Sequence, residues 1–247
     1  MISTVSAIPT VILVQLNKTN IQTQQISFYL FGDSICYGQL VSSHDTWATA
    51  LALALNETPE LTSHVLVQNT GVNGNTTRQA LERMHYDVTF HSPNFVMVQF
   101  GMNDCNYWAT DRGLPRVSPK AFVANLEEII ERALVSGVQH CFLNTNHPSL
   151  KGEFTHSKGM TYEQSNAEYN ALIRDAYYNL VNNQRPVTLI DMEEEWKRQL
   201  HKNSSYSLDQ LLLPDGIHLS DCGHNVYKKY LIPRVIESLK HLINIIR

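Results

Sequence analysis

Five short apolar runs punctuate the chain: Ile26–Leu30, His64–Asn69, Phe95–Phe100, Val138–Asn144 and Val187–Ile190. Their brevity and their β-branched and aromatic content predict strands. Segments with the helical period lie between and after them. The clearest starts at Ser118-Pro119 and sets Phe122, Leu126, Ile129, Ile130 and Ala133 at three- and four-residue steps, with Gly137 past its end. Further helices are predicted over Trp47–Leu55, from Arg78 to about Thr89, from Tyr162 to about Asn182, from an Asp191 cap through Trp196, and from about Cys222 to the end. Pro233 should bend or divide the last of these.

Strand and helix alternate from residue 26 onward, the pattern of a parallel sheet with helices on both faces, in one α/β domain of residues 26–247. Residues 1–25 form a polar-ended extension in which Ile8–Val14 reads as an extra edge strand. The loops carrying Ser34, Gly74 and Asn103 directly follow strands, where open α/β sheets place their ligands. The loop carrying Asp215 and His218 comes after the fifth strand and its helix, and is expected at the same end. Thr70–Thr77 contains two glycines able to take left-handed conformations, with Thr76 or Thr77 capping the next helix. The Thr145–Thr161 loop has few apolar residues and is a candidate lid or substrate loop.

Composition removes several classes of function. A formal charge of −4 and a pI near 6.2 argue against nucleic acid or an anionic membrane as partner. No glycine-rich phosphate loop is present, and no apolar stretch reaches membrane-spanning length. Cys36, Cys105, Cys141 and Cys222 are scattered without a C-x-x-C pair, which suits reduced thiols in a cytoplasm. The N-terminus has no basic residue before Lys18, so a signal peptide is not expected.

The candidate chemistry begins with Ser34. A serine hydroxyl is a poor nucleophile until a base takes its proton, and the base needs a partner to hold its tautomer. Asp215-Gly216-Ile217-His218 offers both across a Pro214/Gly216 turn: the carboxylate reaches back to Nδ1–H and leaves Nε2 for Ser34. The Ser34 N–H, the Gly74 N–H and the Asn103 side-chain amide could then stabilise an oxyanion. Each block has a plain alternative: a helix-capping serine, an Asx-turn at Asn103, a surface Asp/His turn.

Together the blocks resemble the SGNH hydrolase (GDSL-type esterase and acylhydrolase) family. Gly32-Asp33-Ser34 resembles its nucleophile block, with Ile35 where leucine is commonest, and Asn69–Thr76 resembles its glycine block. Gly74, not Gly71, matches the oxyanion glycine because Asn75-Thr76 follows it. Gly101-Met102-Asn103-Asp104 and Asp215-Gly216-Ile217-His218 match the two remaining blocks, in the expected order. The resemblance implies a three-layer α/β/α sandwich with a mostly parallel five-stranded, flavodoxin-like sheet. It further implies ester hydrolysis through an acyl-serine, without metal or cofactor.

Tyr107 and Trp108, just past Asn103, are candidates to wall the substrate pocket, with Asp104 expected to bond the loop backbone and Cys36 and Tyr37 to pack. Asp221, Cys222 and His224 have ligand types that suit zinc, but a helix start capped by Ser220 or Asp221 explains the run more simply. The expected substrate is a small-molecule or carbohydrate ester, a short acyl group on a polar carrier being favoured. An acyltransferase, a non-catalytic carbohydrate-binding protein and a metal-dependent hydrolase are the rival readings.

Overall fold

The computed structural model describes residues 25–246 except 62, 154, 157, 158 and 203–205; the edge strand expected at Ile8–Val14 lies outside the described residues. Strand β1 (Ile26–Gly32) is buried from Phe28 onward, and β3 (Phe95–Gln99) and β4 (His140–Asn144) are buried along their whole length. Such unbroken apolar runs need cover on both faces, as parallel sheets have. β2 (Val65–Asn69) and β5 (Val187–Ile190) bury fewer residues because they are the edges. The order is β2-β1-β3-β4-β5 and every pairing is parallel.

From β1 the chain goes to one side, to β2, and then crosses back to β3. Right-handed crossovers therefore put helix α2 (Trp47–Glu57) on one face and α3 (Thr77–Asp87) on the other. α3 packs beside α4 (Pro119–Val135), and α4 beside α5 (Tyr162–Asn182). On the opposite face, α2 and α6 (Met192–Lys202) pack against α8 (Asp221–Ile246). The result is three layers, with the reversal in strand order between β1 and β3. In open α/β sheets such a reversal is where ligands bind, at the carboxyl ends of the strands.

Local chemistry sets where the helices begin. Thr46 Oγ1 accepts from the Thr49 N–H at the start of α2, and Ser118 with Pro119 opens α4. Thr76, not Thr77, caps α3, with Gln79 Oε1 accepting the Thr76 N–H at 2.9 Å. α3 stops at Asp87 and is followed by a 3₁₀ turn, Thr89–His91, while α6 continues past Trp196 to Lys202. Pro233 does not divide α8. It removes one backbone bond, and Val226, Leu231, Val235 and Leu239 stay buried on both sides of it.

The Thr145–Thr161 loop is not a lid along its whole length, because Thr145, Asn146, His147 and Ser149 are buried. Asn170 Oδ1 accepts the Asn146 N–H (2.7 Å), and Asn146 C=O accepts from Asn170 Nδ2 (2.9 Å). Only the later part reaches the surface.

His224 is 1% exposed, and its Nδ1 accepts the Trp47 N–H at 3.1 Å, joining α8 to the start of α2. Burial, helped by Lys228, pushes its pKa down to about 4. The unfolded chain thus takes up a proton that the folded chain refuses, so this group removes stability as pH falls from about 6.5 toward 4. His224→Asn keeps an acceptor but cannot titrate. Its unfolding free energy, from urea titrations between pH 7 and 4.5, should depend less steeply on pH than that of the wild type; equal slopes would contradict the assignment.

Candidate active site

β1 runs directly into a single helical turn, α1 (Ser34–Tyr37), capped by Asp33, whose Oδ1 accepts the Ile35 N–H at 3.0 Å. Ser34 opens that turn, and its N–H has no partner among the described residues, as expected of a first helical residue. The side chain lies at the carboxyl end of β1, at the reversal in strand order.

Opposite it stands a turn that follows a short helix, α7 (Leu208–Leu211). An antiparallel bridge between Leu212 and Leu219 closes the turn, and the Leu213 N–H donates to His218 C=O at 2.7 Å. Gly216 takes φ +72°, a value that glycine accepts without cost. Asp215 Oδ1 accepts the Ile217 and His218 N–H groups, both at 2.9 Å, and Oδ2 accepts from His218 Nδ1 at 2.6 Å. A carboxylate can only accept, so Nδ1 carries the proton and Nε2 is left as an acceptor. Nε2 lies 3.0 Å from Ser34 Oγ. Partial burial opposes the Asp215 charge, but the bonds from the His218 ring and the two backbone N–H groups outweigh it and hold the carboxyl below its usual range.

A buried polar chain supports this turn from behind. His147 Nε2 is 2.8 Å from Ile217 C=O, and His147 Nδ1 is 2.9 Å from the Tyr227 hydroxyl, which also accepts from Gln99 Nε2 at 3.3 Å. The carbonyl fixes the tautomer: His147 donates from Nε2 to Ile217, and Tyr227 donates to Nδ1. Burial holds the ring neutral, with a pKa pushed down to about 4.

The glycine loop faces Ser34 from the β2 side. A Cβ on Gly71 would lie 2.6 Å from the Tyr37 backbone nitrogen, so Gly71 is required by close packing against α1. Gly74 differs: it takes φ +76° with no atom near the place of a Cβ, and its N–H has no partner among the described residues. Arg83 ties this loop to β1. It donates to Gly32 C=O (2.8 Å), Thr70 C=O (2.7 Å) and Asn75 Oδ1 (2.7 Å).

Beyond β3, Asn103 Nδ2 lies 3.4 Å from Asp33 Oδ2, and Asn103 Oδ1 accepts from Arg116 Nη1 at 3.2 Å. Arg116 Nη2 donates to Gly74 C=O at 3.0 Å, and the guanidinium lies 4.3 Å from the Trp108 ring centre. Asp104 bonds both the N–H and the hydroxyl of Thr77, at 2.9 and 2.5 Å, joining the loop to the start of α3. Burial raises the Asp33 carboxyl to about 7, even against the Ile35 bond, and Asp104 to about 6.

Trp108 is 51% exposed and stands between two clefts. One, of about 400 Å³, runs from Ile217 past Tyr107 to Lys151, Glu153 and His156; the other, of about 470 Å³, runs past Arg116 to Thr76 and Arg78. Cys36 and Ile35 are buried packing residues, whereas Tyr37 is 55% exposed and does not pack as expected. The Asp221, Cys222 and His224 side chains do not converge: His224 turns inward to Trp47, while Asp221 and Cys222 are exposed. Among the described residues no three His, Cys, Asp or Glu side chains gather as a metal would require.

The structure thus brings Ser34, His218 and Asp215 into one hydrogen-bonded line and links Gly74 to Asn103 through Arg116, with Asn103 in turn reaching Asp33. Arg83, Arg116, His147 and Tyr227 touch this machinery without belonging to any of the four sequence blocks. A cation on the α3 face that carries buried Ala80 and Met84 was the one readable signal for Arg83. His147, Tyr227 and Arg116 gave none, because their partners are remote in sequence.

The model of the GDSL-like lipase/acylhydrolase family matches residues 30–226, most of the chain. An uncharacterized lipoprotein of Bacillus subtilis, YqeF, is 28% identical over 180 residues, covering 65% of this chain and 69% of its own. An arylesterase of Vibrio mimicus is 27% identical over 124 residues, and the chain spans only 56% of that relative. Among solved structures, a lipase/acylhydrolase from Enterococcus faecalis shares the fold with a TM-score of 0.64 at 23% identity, covering 86% of this chain and 96% of that one. The acetylxylan esterase Axe2 from Geobacillus stearothermophilus gives 0.66 at 18% identity, covering 85% and 94%.

The support beneath the Asp215–His218 turn can be tested apart from any activity. Tyr227→Phe removes the donor to a buried imidazole nitrogen and the acceptor for Gln99, and should cost about 1–3 kcal/mol. Chemical unfolding reads the loss directly, and a change below about 0.5 kcal/mol, the usual scale of an inconsequential substitution, would contradict the bonding given to His147.

Proposed function

The chain belongs to the GDSL-like lipase/acylhydrolase family and is a carboxylic ester hydrolase; from that premise we propose that it works through an acyl-serine formed on Ser34. The observation that carries this reading is the line Ser34 Oγ–His218 Nε2 at 3.0 Å and His218 Nδ1–Asp215 Oδ2 at 2.6 Å. As Ser34 Oγ attacks the ester carbonyl, its proton passes to Nε2, and Asp215 stabilises the imidazolium that forms. The carbonyl oxygen becomes an oxyanion among the Ser34 N–H, the Gly74 N–H and Asn103 Nδ2. The C–O bond to the alcohol then breaks and His218 returns the proton to the departing oxygen. A water attacks the acyl-serine by the same route and releases the carboxylic acid. No step calls for a metal or cofactor.

For the substrate, the reading is a short acyl group on a polar or carbohydrate carrier. The cleft that ends at Ile217, the residue before His218, supports it: Tyr107 and Trp108 give aromatic walls suited to a sugar face, and Lys151, Glu153 and His156 give polar ones. The name of Axe2, an acetylxylan esterase, points the same way. No helix among the described residues is long and apolar enough to cross a membrane. The cysteines are all free, three of them buried, which supports a reducing, cytoplasmic setting.

Ser34→Ala should abolish hydrolysis of p-nitrophenyl acetate, and Asn103→Ala should lower kcat about 10²- to 10³-fold, the usual cost of one oxyanion donor. Wild-type turnover in Ser34→Ala would overturn the acyl-serine, and in Asn103→Ala the oxyanion assignment. Across p-nitrophenyl esters of rising chain length, kcat/KM should be highest for acetate and at least about tenfold lower for laurate, a loss of about 1.4 kcal/mol. A maximum at long chains would overturn the substrate reading.

A further inference from the structure

We propose that Arg116 is a positioning residue of the oxyanion hole, holding Asn103 and Gly74 in register and coupling them to the Trp108 wall. The inference rests on the acyl-serine reading above and adds to it the group that fixes two of the three donors.

The first argument concerns which atom of Asn103 faces Ser34. A guanidinium has five N–H donors and no acceptor, so the amide atom it meets must be Oδ1. With Oδ1 held at 3.2 Å by Arg116 Nη1, Nδ2 is turned toward Asp33, the residue before Ser34. Asp33 cannot impose this orientation by itself. Its carboxyl is raised to about 7 by burial, so near neutral pH a large share carries a proton that could donate to a flipped Asn103 oxygen. Arg116 accepts nothing in either protonation state of its neighbour, and it selects one flip only.

The second argument concerns Gly74. Its φ of +76° and the empty space around it mean that side-chain packing does not hold this residue. The bond from Arg116 Nη2 to Gly74 C=O, 3.0 Å long, spans from the β3 loop to the glycine loop and supplies that restraint. One planar group thereby joins the two donor-bearing loops, a geometry that a fork of parallel N–H groups can satisfy and a lysine cannot.

Third, Arg116 is itself well anchored. Its N–H donates to Asn106 C=O at 2.8 Å, the Val117 N–H donates to Asp104 C=O at 3.2 Å, and Tyr107 bridges Pro115. The loop after Asn103 is thus closed on itself. Both side-chain acceptors of Arg116 are neutral oxygens, and among the described residues it takes part in no ion pair. No carboxylate bonds it directly, although Asp104 and Asp111 lie near enough to act on its charge. Its flat face rests on Trp108, so a carrier group stacked there bears on the same guanidinium that aligns Asn103.

The test is a double-mutant cycle on p-nitrophenyl acetate with Arg116→Met and Asn103→Ala. Arg116→Met keeps the aliphatic stem against Trp108 while removing donors and charge. Alone it should lower kcat about 10- to 100-fold, with KM changed less than about threefold, below the cost of losing a donor outright. In the Asn103→Ala background it should cost at least about threefold less than it costs alone, because the share that acts through Asn103 is already gone and only the restraint on Gly74 is left to lose. Arg116→Lys should recover only part of the loss. Melting temperatures within a few degrees of wild type, about 1 kcal/mol or less for a protein of this size, separate the effect from misfolding.

A readout that needs no turnover accompanies the kinetics. The Asn103 side-chain amide, identified in ¹⁵N–¹H spectra by its absence in Asn103→Ala, should shift and broaden in Arg116→Met. Turnover within twofold of wild type in Arg116→Met, full additivity with Asn103→Ala, or an unmoved Asn103 amide would each overturn the proposal. These failures differ from that of the acyl-serine, which would show as Ser34-independent hydrolysis.

Discussion

The Asp215 carboxylate decides which nitrogen of His218 carries the proton, and the rest of the site is arranged around that choice. One oxygen takes the two N–H groups of the turn, and the other takes the ring. The turn and the tautomer are thereby set by a single side chain. A carboxylate with three donors is better satisfied ionised than protonated, which is why Asp215 stays below its usual range despite being partly shielded from water. The imidazole is therefore presented with a free lone pair at Nε2, facing Ser34 Oγ. His147 holds the Ile217 carbonyl and the Leu150 N–H holds that of Gly216, and so the geometry does not rest on the turn alone.

The sheet supplies the other half of the arrangement. The reversal of strand order between β1 and β3 leaves their carboxyl ends side by side, and Gly32 pairs with Gln99 there. Ser34 and Asn103 are each a few residues beyond these ends, so short rigid connections fix both. That economy brings a cost, because Asp33 and Asp104 are buried close to where an oxyanion would form. Burial drives both carboxyls toward the neutral form, and Arg83 and Arg116 thread through the same loops. The charge pattern around Ser34 is therefore less negative than a count of its acidic neighbours suggests.

Much of this was legible in the chain. The apolar runs located the five strands of the described residues, most plainly β1, β3 and β4, because covered parallel strands carry unbroken apolar sequence, and the turn chemistry of Pro214-Asp215-Gly216 marked the His218 loop. The resemblance picked Gly74 over Gly71 by the residues after it, and the structure gives the two different surroundings. Single turns such as α1 and α7 are too short to show a period, and Pro233 overstated its effect because tertiary packing holds α8 on both sides of it. Arg116 and His147 were invisible for another reason. Their roles depend on partners across loops, Gly74 and Asn103 for one and Ile217 and Tyr227 for the other, and no local pattern encodes such pairings.

The central claim is that His218, oriented by Asp215, activates one particular hydroxyl. The most direct measurement is peptide mapping by mass spectrometry after treatment with a fluorophosphonate, whose phosphorus is attacked only by an activated serine. The account predicts one adduct, on Ser34, formed rapidly in the wild type and lost in His218→Ala. An adduct on another residue, or undiminished labelling of Ser34 without the imidazole, would contradict it.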